Sequence, residues 1–253
     1  MNAMQRYFLK EDLFHEGHVM ITDEEARHIQ RVMRMEPGDS VICCSLQGQC
    51  YVCKLSEFTE GYIKAEIKSQ EERTVELPVK VTIAHGLPKG DKFELVIQKG
   101  TELGASFFIP FEAERSIVKW DPKKATKKID RWNKIAKEAA EQSHRQALPE
   151  VGDVHSLTQL LKLFNKYSYV LAAYEEAAKS DEKSSFNKVL TQMKPEDTLL
   201  FITGPEGGFS DREINLMKQN GAIACGLGPR ILRSETAPLY GLSAISYHFE
   251  LLG

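Results

Sequence analysis

From residue 79 onward the chain alternates short apolar runs with stretches of helical periodicity, and this alternation restricts the possible folds more than any other feature. The apolar runs predict strands at 79–84, 107–110, 169–173, 199–203 and 223–227. Helices are predicted at 93–103, 123–146, 157–164, 211–219 and 236–252. Strands that alternate with helices form a largely parallel sheet in an α/β domain. Ligands of such domains bind beyond the carboxyl ends of the strands, so the loops there are the first candidates for a site.

Residues 1–73 have a different pattern, in which four short strands accompany one helix. The strands are predicted at 4–8, 40–44, 49–56 and 61–68. The helix is predicted to begin at a capping box formed by Thr22 and Glu25 and to end before Pro37. Polar residues at 70–73 then mark a linker. The sequence therefore predicts two domains, a small β-barrel over 1–73 and an α/β domain over 74–253.

Composition excludes several classes of protein. Of the 253 residues, 42% are hydrophobic and 27% are charged, which is typical of globular proteins and not of disordered or collagen-like chains. No apolar run approaches the roughly 18 residues that a transmembrane helix needs. The first ten residues lack the features of a signal peptide, which predicts a cytoplasmic protein whose five cysteines form no disulfides.

Motifs for nucleotide and metal binding are incomplete in this sequence. The loop at 86–92 contains glycines and lysines but lacks the spacing of a Walker A motif. Cys50 and Cys53 form a Cys-x-x-Cys pair, with Cys43 and Cys44 nearby. Because neighbouring residues of a strand point to opposite faces, the four thiols do not converge, and we predict buried packing and no metal.

A basic segment interrupts an otherwise acidic chain. Residues 115–145 include ten Lys or Arg and four Asp or Glu, a net charge of +6, whereas the whole chain has a net charge of -3. Many of these basic residues recur at three- and four-residue spacing along the predicted helix 123–146. Such a stripe is typical of a helix that contacts phosphates and equally of a solvated helix surface, and both interpretations stay open.

Two glycine-rich loops follow strands of the predicted sheet. The first, GPEGGF at 204–209, is followed by a capping box of Ser210 and Glu213. The second, at 226–236, places Arg230 and Arg233 near the start of the last helix. Glycine permits positive φ and close approach of the backbone to a ligand, and arginine can hold an anion or polarise a carbonyl. The loops therefore predict a site built largely from main-chain groups.

These loops carry a resemblance to a known family. GPEGGFS at 204–210 and LGPRILRSETA at 227–237 resemble the RsmE family, the ribosomal RNA small subunit methyltransferase E group of the SPOUT superfamily. Further similar blocks lie at 6–8, 99–104, 114–116 and 138–145. The resemblance therefore covers nearly the whole chain.

The resemblance implies an enzyme that uses S-adenosylmethionine (S-adenosyl-L-methionine) to methylate N3 of one uridine in 16S rRNA of the small ribosomal subunit. It also implies a PUA-like amino-terminal β-barrel, a carboxy-terminal SPOUT domain with a mostly parallel sheet and a deep trefoil knot, a homodimer, and no metal. Two alternatives stay open. One is a SPOUT methyltransferase that acts on another RNA base, and the other is a non-catalytic RNA-binding module.

Within this family, the chemistry of the residues suggests their roles. Arg233 is the first candidate for stabilising the uracil anion and Arg230 the second, with phosphate binding by either as the alternative. Glu235 is predicted to orient a guanidinium or to accept the proton. Cofactor contacts are expected from Ile202, Thr203, Gly204, Pro205, Glu206, Gly207, Gly208, Leu227, Gly228, Ile231, Leu232 and Ala237. RNA contacts are expected from Arg6, Arg115, Lys119, Lys127, Lys128, Arg131 and Arg145.

The last predicted helix, 236–252, is apolar on almost every face, and Glu250 is its only charged residue between Ala237 and Leu252. A helix of this kind is buried on more than one side, whereas a terminal helix in a two-layer domain has one side for its own sheet. The sequence therefore predicts that this helix lies in a homodimer interface, with Ile245 and Tyr247 as interface positions.

Overall fold

The computed structural model describes residues 4–72, 74–116, 122–179 and 185–252. The chain forms two compact units, one comprising Met1–Glu76 and Ala140–Leu148 and the other Leu77–Ala139 and Pro149–Gly253. The predicted boundary after residue 73 assigned residues 140–148 to the α/β domain, whereas they belong to the first unit. That segment joins through contacts between residues far apart in sequence, such as the hydrogen bond from Phe8 N to Glu141 Oε1 at 3.2 Å.

The first unit is built on a six-stranded sheet with the strand order β1-β4-β5-β6-β3-β2. Its strands are β1 Gln5–Leu9, β2 Phe14–His15, β3 His18–Thr22, β4 Ser40–Ser45, β5 Cys50–Phe58 and β6 Tyr62–Gln70. All neighbours are antiparallel except β1 and β4. The four predicted strands are present, and the β2–β3 hairpin was not predicted. Buried side chains of β3, β5 and β6, including Ile21, Leu55 and Ile63, pack into one core.

The helix of the first unit differs from its prediction. Helix α1 spans Asp23–Arg27 and continues as a π-helical turn over His28–Val32. The predicted capping box is wrong, because the Thr22 hydroxyl donates to the Asp23 carboxylate at 3.0 Å and makes no cap to the helix backbone. Ile29 is nonetheless buried in the core, as its apolar spacing indicated.

The four cysteines of the first unit lie on two faces of this sheet. Cys43 and Cys53 are buried in the main core, whereas Cys44 and Cys50 lie in a second cluster with Phe8. This separation confirms that the four sulfur atoms do not converge. The expectation of no disulfide is wrong, since Cys44 and Cys50 are bonded. They are register partners across β4 and β5, a proximity that an argument from cellular compartment does not consider.

The second unit contains a parallel sheet with the strand order β10-β8-β7-β12-β11-β13, and β9 also pairs with β8. The strands are β7 Lys80–Gly86, β8 Phe107–Glu112, β9 Glu150–Val151, β10 His155–Ser156, β11 Tyr169–Ala173, β12 Thr198–Thr203 and β13 Ile223–Cys225. All these pairs are parallel, which confirms the predicted α/β domain with a largely parallel sheet. β7 and β12 lie side by side at its centre, and their side chains are almost all buried.

Helices cover both faces of this sheet, and two separate apolar clusters fill the spaces beneath them. They are α2 Lys92–Glu102, α3 Pro122–Gln142, α4 Leu157–Leu161, α5 Ser185–Gln192, α6 Asp211–Gln219 and α7 Thr236–Ser246. The capping box of Ser210 and Glu213 is confirmed at the start of α6. The predicted helix 236–252 changes to a π-helical turn at Tyr247–Leu251. Among the described residues, no helix combines the length and apolar character that crossing a membrane requires.

Gly241 allows α7 to pack directly on β12. A Cβ atom at this position would lie 2.3 Å from Cε1 of Phe201, so no larger residue fits without displacing the ring. We expect Gly241→Ala to lower the free energy of unfolding by about 1–3 kcal/mol, the usual cost of overpacking a core. Chemical denaturation measures this change. Gly61→Ala is the control, because its Cβ would meet no atom within 4 Å; equal stability of both variants would contradict the packing argument.

Candidate functional site

Three loops lie at the carboxyl ends of β7, β12 and β13, where the sheet topology predicts a ligand site. The loop after β12 passes close to the end of β7, since a Cβ on Gly86 would lie 2.5 Å from Cδ of Pro205. Within the same loop, Gly208 has φ of 65° and donates its N–H to the Pro205 carbonyl at 2.9 Å. These glycines permit a tight turn that residues with side chains would not adopt.

Lys92, at the start of α2, connects two of the predicted site residues. Its Nζ lies 3.0 Å from Glu206 Oε1 and 3.3 Å from Glu235 Oε2. The N–H of Lys89 also donates to Glu206 Oε1 at 3.1 Å. Hydrogen bonding to Glu206 raises the pKa of Lys92 despite some desolvation. The structure therefore brings Glu206 and Glu235 together through a lysine that the sequence analysis had not singled out.

His85 is buried at the end of β7, beside the loop after β12. Its Nδ1 lies 2.7 Å from Thr203 Oγ1, and its ring stacks on Phe93 with centroids 5.7 Å apart. Burial lowers the pKa of His85 to about 4, so the ring is neutral at pH 7. Within the described part of the chain, the buried atoms without a hydrogen-bond partner include His85 Nε2, Ser234 Oγ and Glu235 Oε2, the last of which meets Lys92 only as an ion pair. Such atoms are uncommon, and they indicate where a water or the polar groups of a ligand can bind.

The loop between β13 and α7 fixes its backbone and exposes its arginines. Gly228 has φ of 95°, and the Arg233 carbonyl accepts hydrogen bonds from the N–H groups of Thr236 at 2.9 Å and Ala237 at 3.1 Å. The side chains of Arg230 and Arg233 belong to exposed residues. Their guanidinium groups are therefore accessible to a substrate while the backbone of Arg233 is held at the helix start.

The protonation of Glu235 bears on its predicted role. Burial alone would raise its pKa, but a backbone hydrogen bond, the Lys92 ammonium and the Arg233 charge outweigh burial and lower it. A carboxylate with a lowered pKa is a weak base. The lowered pKa fits orientation of a cationic group better than acceptance of a proton, and both roles of Glu235 stay predictions.

Arg115 lies against the loop after β12, at the end of β8. Its Nη1 donates to the Gly207 carbonyl at 2.9 Å. The neighbouring Glu114 accepts a hydrogen bond from Ser210 Oγ at 2.7 Å and donates its own N–H to Glu213 Oε1 at 2.7 Å. These bonds fix the loop to β8. They also place one predicted RNA residue, Arg115, beside predicted cofactor residues.

The prediction that Arg6 and Arg145 contact RNA is wrong for this structure. Both lie within the first unit, where they are 2% and 4% exposed. Arg6 Nη2 is 2.9 Å from Glu71 Oε2, and Arg145 makes a bidentate pair with Glu76. A buried guanidinium needs its carboxylate partner, and removing either group costs about 3–5 kcal/mol. Both arginines therefore stabilise the unit and do not face a phosphate.

The basic stripe on α3 is partly paired within its own unit. Lys128 Nζ and Arg131 Nη2 lie 3.3 Å and 2.6 Å from the carboxylate of Glu94 on α2. Arg131 remains 60% exposed despite this pair, and Lys127 is exposed. Lys119 lies outside the described residues. The stripe is thus less positive than the sequence suggests. Among the described residues of α3 that were predicted to contact RNA, Lys127 and Arg131 are exposed.

Comparison with known proteins gives this arrangement its class. Residues 75–246 match the family described as the RNA methyltransferase domain, and residues 21–68 match the RNA methyltransferase PUA domain. The two units and the three loops therefore define an RNA methyltransferase that carries a PUA domain. This match confirms the predicted combination of a PUA-like unit with an α/β methyltransferase unit.

Individual relatives identify the family. The chain is 50% identical over 252 residues to the ribosomal RNA small subunit methyltransferase E of Bacillus subtilis (strain 168), covering 98% of each chain. It is 34% identical to the Synechocystis protein of that name, covering 93% and 75% of the two chains. The Neisseria gonorrhoeae enzyme, solved bound to S-adenosyl methionine, superposes with a TM-score of 0.83 at 29% identity, covering 96% and 97%. The chain belongs to the ribosomal RNA small subunit methyltransferase E family.

Proposed function

We propose that this protein transfers a methyl group from S-adenosylmethionine to N3 of one uridine in 16S rRNA of the small ribosomal subunit. The convergence of three loops on the carboxyl edge of β7, β12 and β13 is the observation that carries the proposal. Relatives named as small subunit rRNA methyltransferases along nearly the whole chain support it, as does the relative solved with S-adenosyl methionine.

The residues of these loops fit such a cofactor. S-adenosylmethionine has no phosphate groups, so a pocket of main-chain groups suits it better than a phosphate-binding loop. The cofactor would be held by residues 202–208 and by Leu227, Gly228, Ile231, Leu232 and Ala237. The buried atoms His85 Nε2 and Ser234 Oγ provide further hydrogen-bonding positions nearby in the fold. When bound, the cofactor supplies an electrophilic methyl group on a sulfonium.

The protein's own contribution to the chemistry is to stabilise the uracil anion. N3 of uracil carries a proton, which passes to solvent water before or as the N3–carbon bond forms, and the resulting charge spreads over the flanking carbonyl oxygens. A guanidinium beside one of these oxygens stabilises the charge as it develops. Arg233 is our first candidate and Arg230 the second, with Glu235 positioning the guanidinium.

Mass spectrometry of 16S rRNA tests this proposal. RNA from cells that lack the protein should be missing one N3-methyluridine, and expression of the protein should restore it. A methyl group on a different base would favour the alternative of another RNA methyltransferase activity. Failure of the purified protein to bind S-adenosylmethionine in calorimetry would favour a non-catalytic RNA-binding module.

We propose that the exposed part of the α3 stripe contacts RNA phosphates. Replacing Lys127 by alanine should weaken RNA binding modestly and reduce the slope of log affinity against log salt by roughly 0.7–0.9, without changing the methylated base. Filter binding at several salt concentrations measures this slope. Lys188→Ala is the control, because it removes the same charge from an exposed position on α5. Equal slopes for the two variants would show that the stripe is merely solvated.

We also propose a homodimer formed through α7 and the turn that follows it. Large apolar side chains are exposed there, and Tyr247 and Leu251 are 54% and 73% exposed. Ile245 is fully buried in the protein's own core, so its predicted place in the interface is wrong, and Ile245→Glu would test stability instead. Tyr247→Glu should yield a folded monomer in light scattering at micromolar concentration. A wild-type monomer under the same conditions would contradict the dimer.

The trefoil knot and the cytoplasmic location stay predictions.

A further inference from the structure

We infer that Lys92 is a positioning residue that holds together the two loops of the cofactor pocket. The inference rests on the proposed function for the identity of the ligand. Lys92 begins α2, whereas Glu206 belongs to the loop after β12 and Glu235 to the end of the loop after β13. One ammonium group thus forms ion pairs with carboxylates from two loops that are separated by α6 and β13 in the chain.

The backbone at Lys92 is held in place by the packing of the residue that follows it. The Lys92 side chain can therefore fix the positions of the two loops. The next residue, Phe93, is buried and packs its ring edge on Trp132 at a centroid distance of 4.6 Å. The Phe93 ring also stacks on His85, at the end of β7. A rigid helix start thus carries a charge that reaches two loops whose glycines give them conformational freedom.

The charges of Lys92, Glu206 and Glu235 explain why the lysine is needed to hold the two loops together. At neutral pH Glu206 and Glu235 are both ionised, because their pKa values are lowered, and Lys92 is protonated. Without the ammonium, two carboxylates that now share one partner would repel each other. The loops would then separate, and the pocket would have to be re-formed each time a ligand binds.

A positional role differs from an electrostatic one in its effect on substrate and product. S-adenosylmethionine has a positive sulfonium, whereas its product S-adenosylhomocysteine has a neutral thioether. If Lys92 positions the loops, its loss weakens both ligands equally. If its charge acted directly on the ligand, its loss would remove a repulsion and improve the binding of S-adenosylmethionine relative to S-adenosylhomocysteine.

Calorimetry with both ligands on the purified full-length protein tests this role. We expect Lys92→Met to weaken each ligand about tenfold, since partly exposed ion pairs contribute modestly and two are lost together. Lys92→Arg should retain most of the affinity because it keeps a cation within reach of both carboxylates. The KM for S-adenosylmethionine should rise by a similar factor.

The control and a second set of variants complete the experiment. Lys99→Met removes another ion-paired lysine of α2, bonded to Glu102 at 2.8 Å, and should leave both affinities unchanged. Adding Glu235→Gln to Lys92→Met should restore part of the lost affinity by relieving the repulsion. If Lys92→Met fails to fold, Glu235→Gln alone should weaken both ligands by similar factors.

Two results would overturn the inference. One is wild-type affinity in Lys92→Met or, where that variant does not fold, in Glu235→Gln, and the other is a gain for S-adenosylmethionine relative to S-adenosylhomocysteine. Failure of the wild-type protein to bind either ligand is a separate outcome, which contradicts the proposed function itself.

Discussion

A Gly228→Val variant should fold but bind S-adenosylmethionine at least about 100-fold more weakly than the wild-type protein. Gly228 has φ of 95°, a conformation that a β-branched residue adopts only at a high cost, of order 1–3 kcal/mol or more. Space is not the obstacle, because a Cβ there would approach no atom closer than 3.9 Å. The loop backbone must therefore rotate, which moves the main-chain groups that we assign to the cofactor.

Gly221→Val is a matched control for this prediction. Gly221 has nearly the same φ, 99°, and a Cβ there would also meet open space. Gly221 precedes β13, however, whereas Gly228 follows it, so the two glycines lie beyond opposite ends of this strand. Both variants should lose similar stability in denaturation, and only Gly228→Val should lose cofactor affinity in calorimetry. Retained affinity in a folded Gly228→Val protein would place the cofactor elsewhere.

Local sequence patterns were sufficient to predict much of the second unit. A parallel strand buried on both faces must be a continuous apolar run, and β11 occupies the predicted residues 169–173. The start of α6 was equally clear, because Ser210 and Glu213 satisfy each other's backbone groups without help from the rest of the fold. The ends of helices were predicted less accurately. The predicted helix 123–146 ends at Gln142 in the structure, because His144 adopts a positive φ that the sequence did not indicate.

Contacts between residues far apart in the chain explain most of the errors. The charge of Arg6 or Arg145 suggested a phosphate, but only the fold reveals the partly buried carboxylates of Glu71 and Glu76 beside them. The same holds for the Cys44–Cys50 disulfide, which depends on the register of β4 and β5. A net charge counted along a segment does not distinguish an internal ion pair from an exposed cation.

The candidate site shows the same division between local and distant information. Its glycine loops were evident because tight backbone turns depend on the residues of the loop itself. Lys92 and His85 were missed because their roles require β7 to lie beside β12, a pairing across more than a hundred residues. The glycines and lysines of the loop at 86–92 did indicate a binding loop. The loop was compared only with a phosphate-binding motif, however, and the ligand proposed here has no phosphate.

Replacing Arg233 by alanine should reduce kcat by about 100- to 1000-fold while RNA affinity changes by less than about threefold. Removing one donor that stabilises a developing oxyanion has effects of this size. The backbone of Arg233 is anchored by its carbonyl at the start of α7, so the substitution should leave the loop in place. Arg233→Lys should recover little activity, because an ammonium lacks the planar fork that can bond to a carbonyl oxygen while Glu235 orients it.

Single-turnover kinetics with saturating RNA separates this role from phosphate binding. A group that acts on the uracil anion matters only as charge develops, so its loss lowers the rate even when all the enzyme is bound to RNA. A phosphate contact behaves in the opposite way, with a normal rate at saturation and a weaker affinity that depends on salt. If Arg233→Ala shows the second pattern and Arg230→Ala the first, the two arginines exchange roles. If both show the second pattern, stabilisation of the anion must come from the main-chain groups of the two loops.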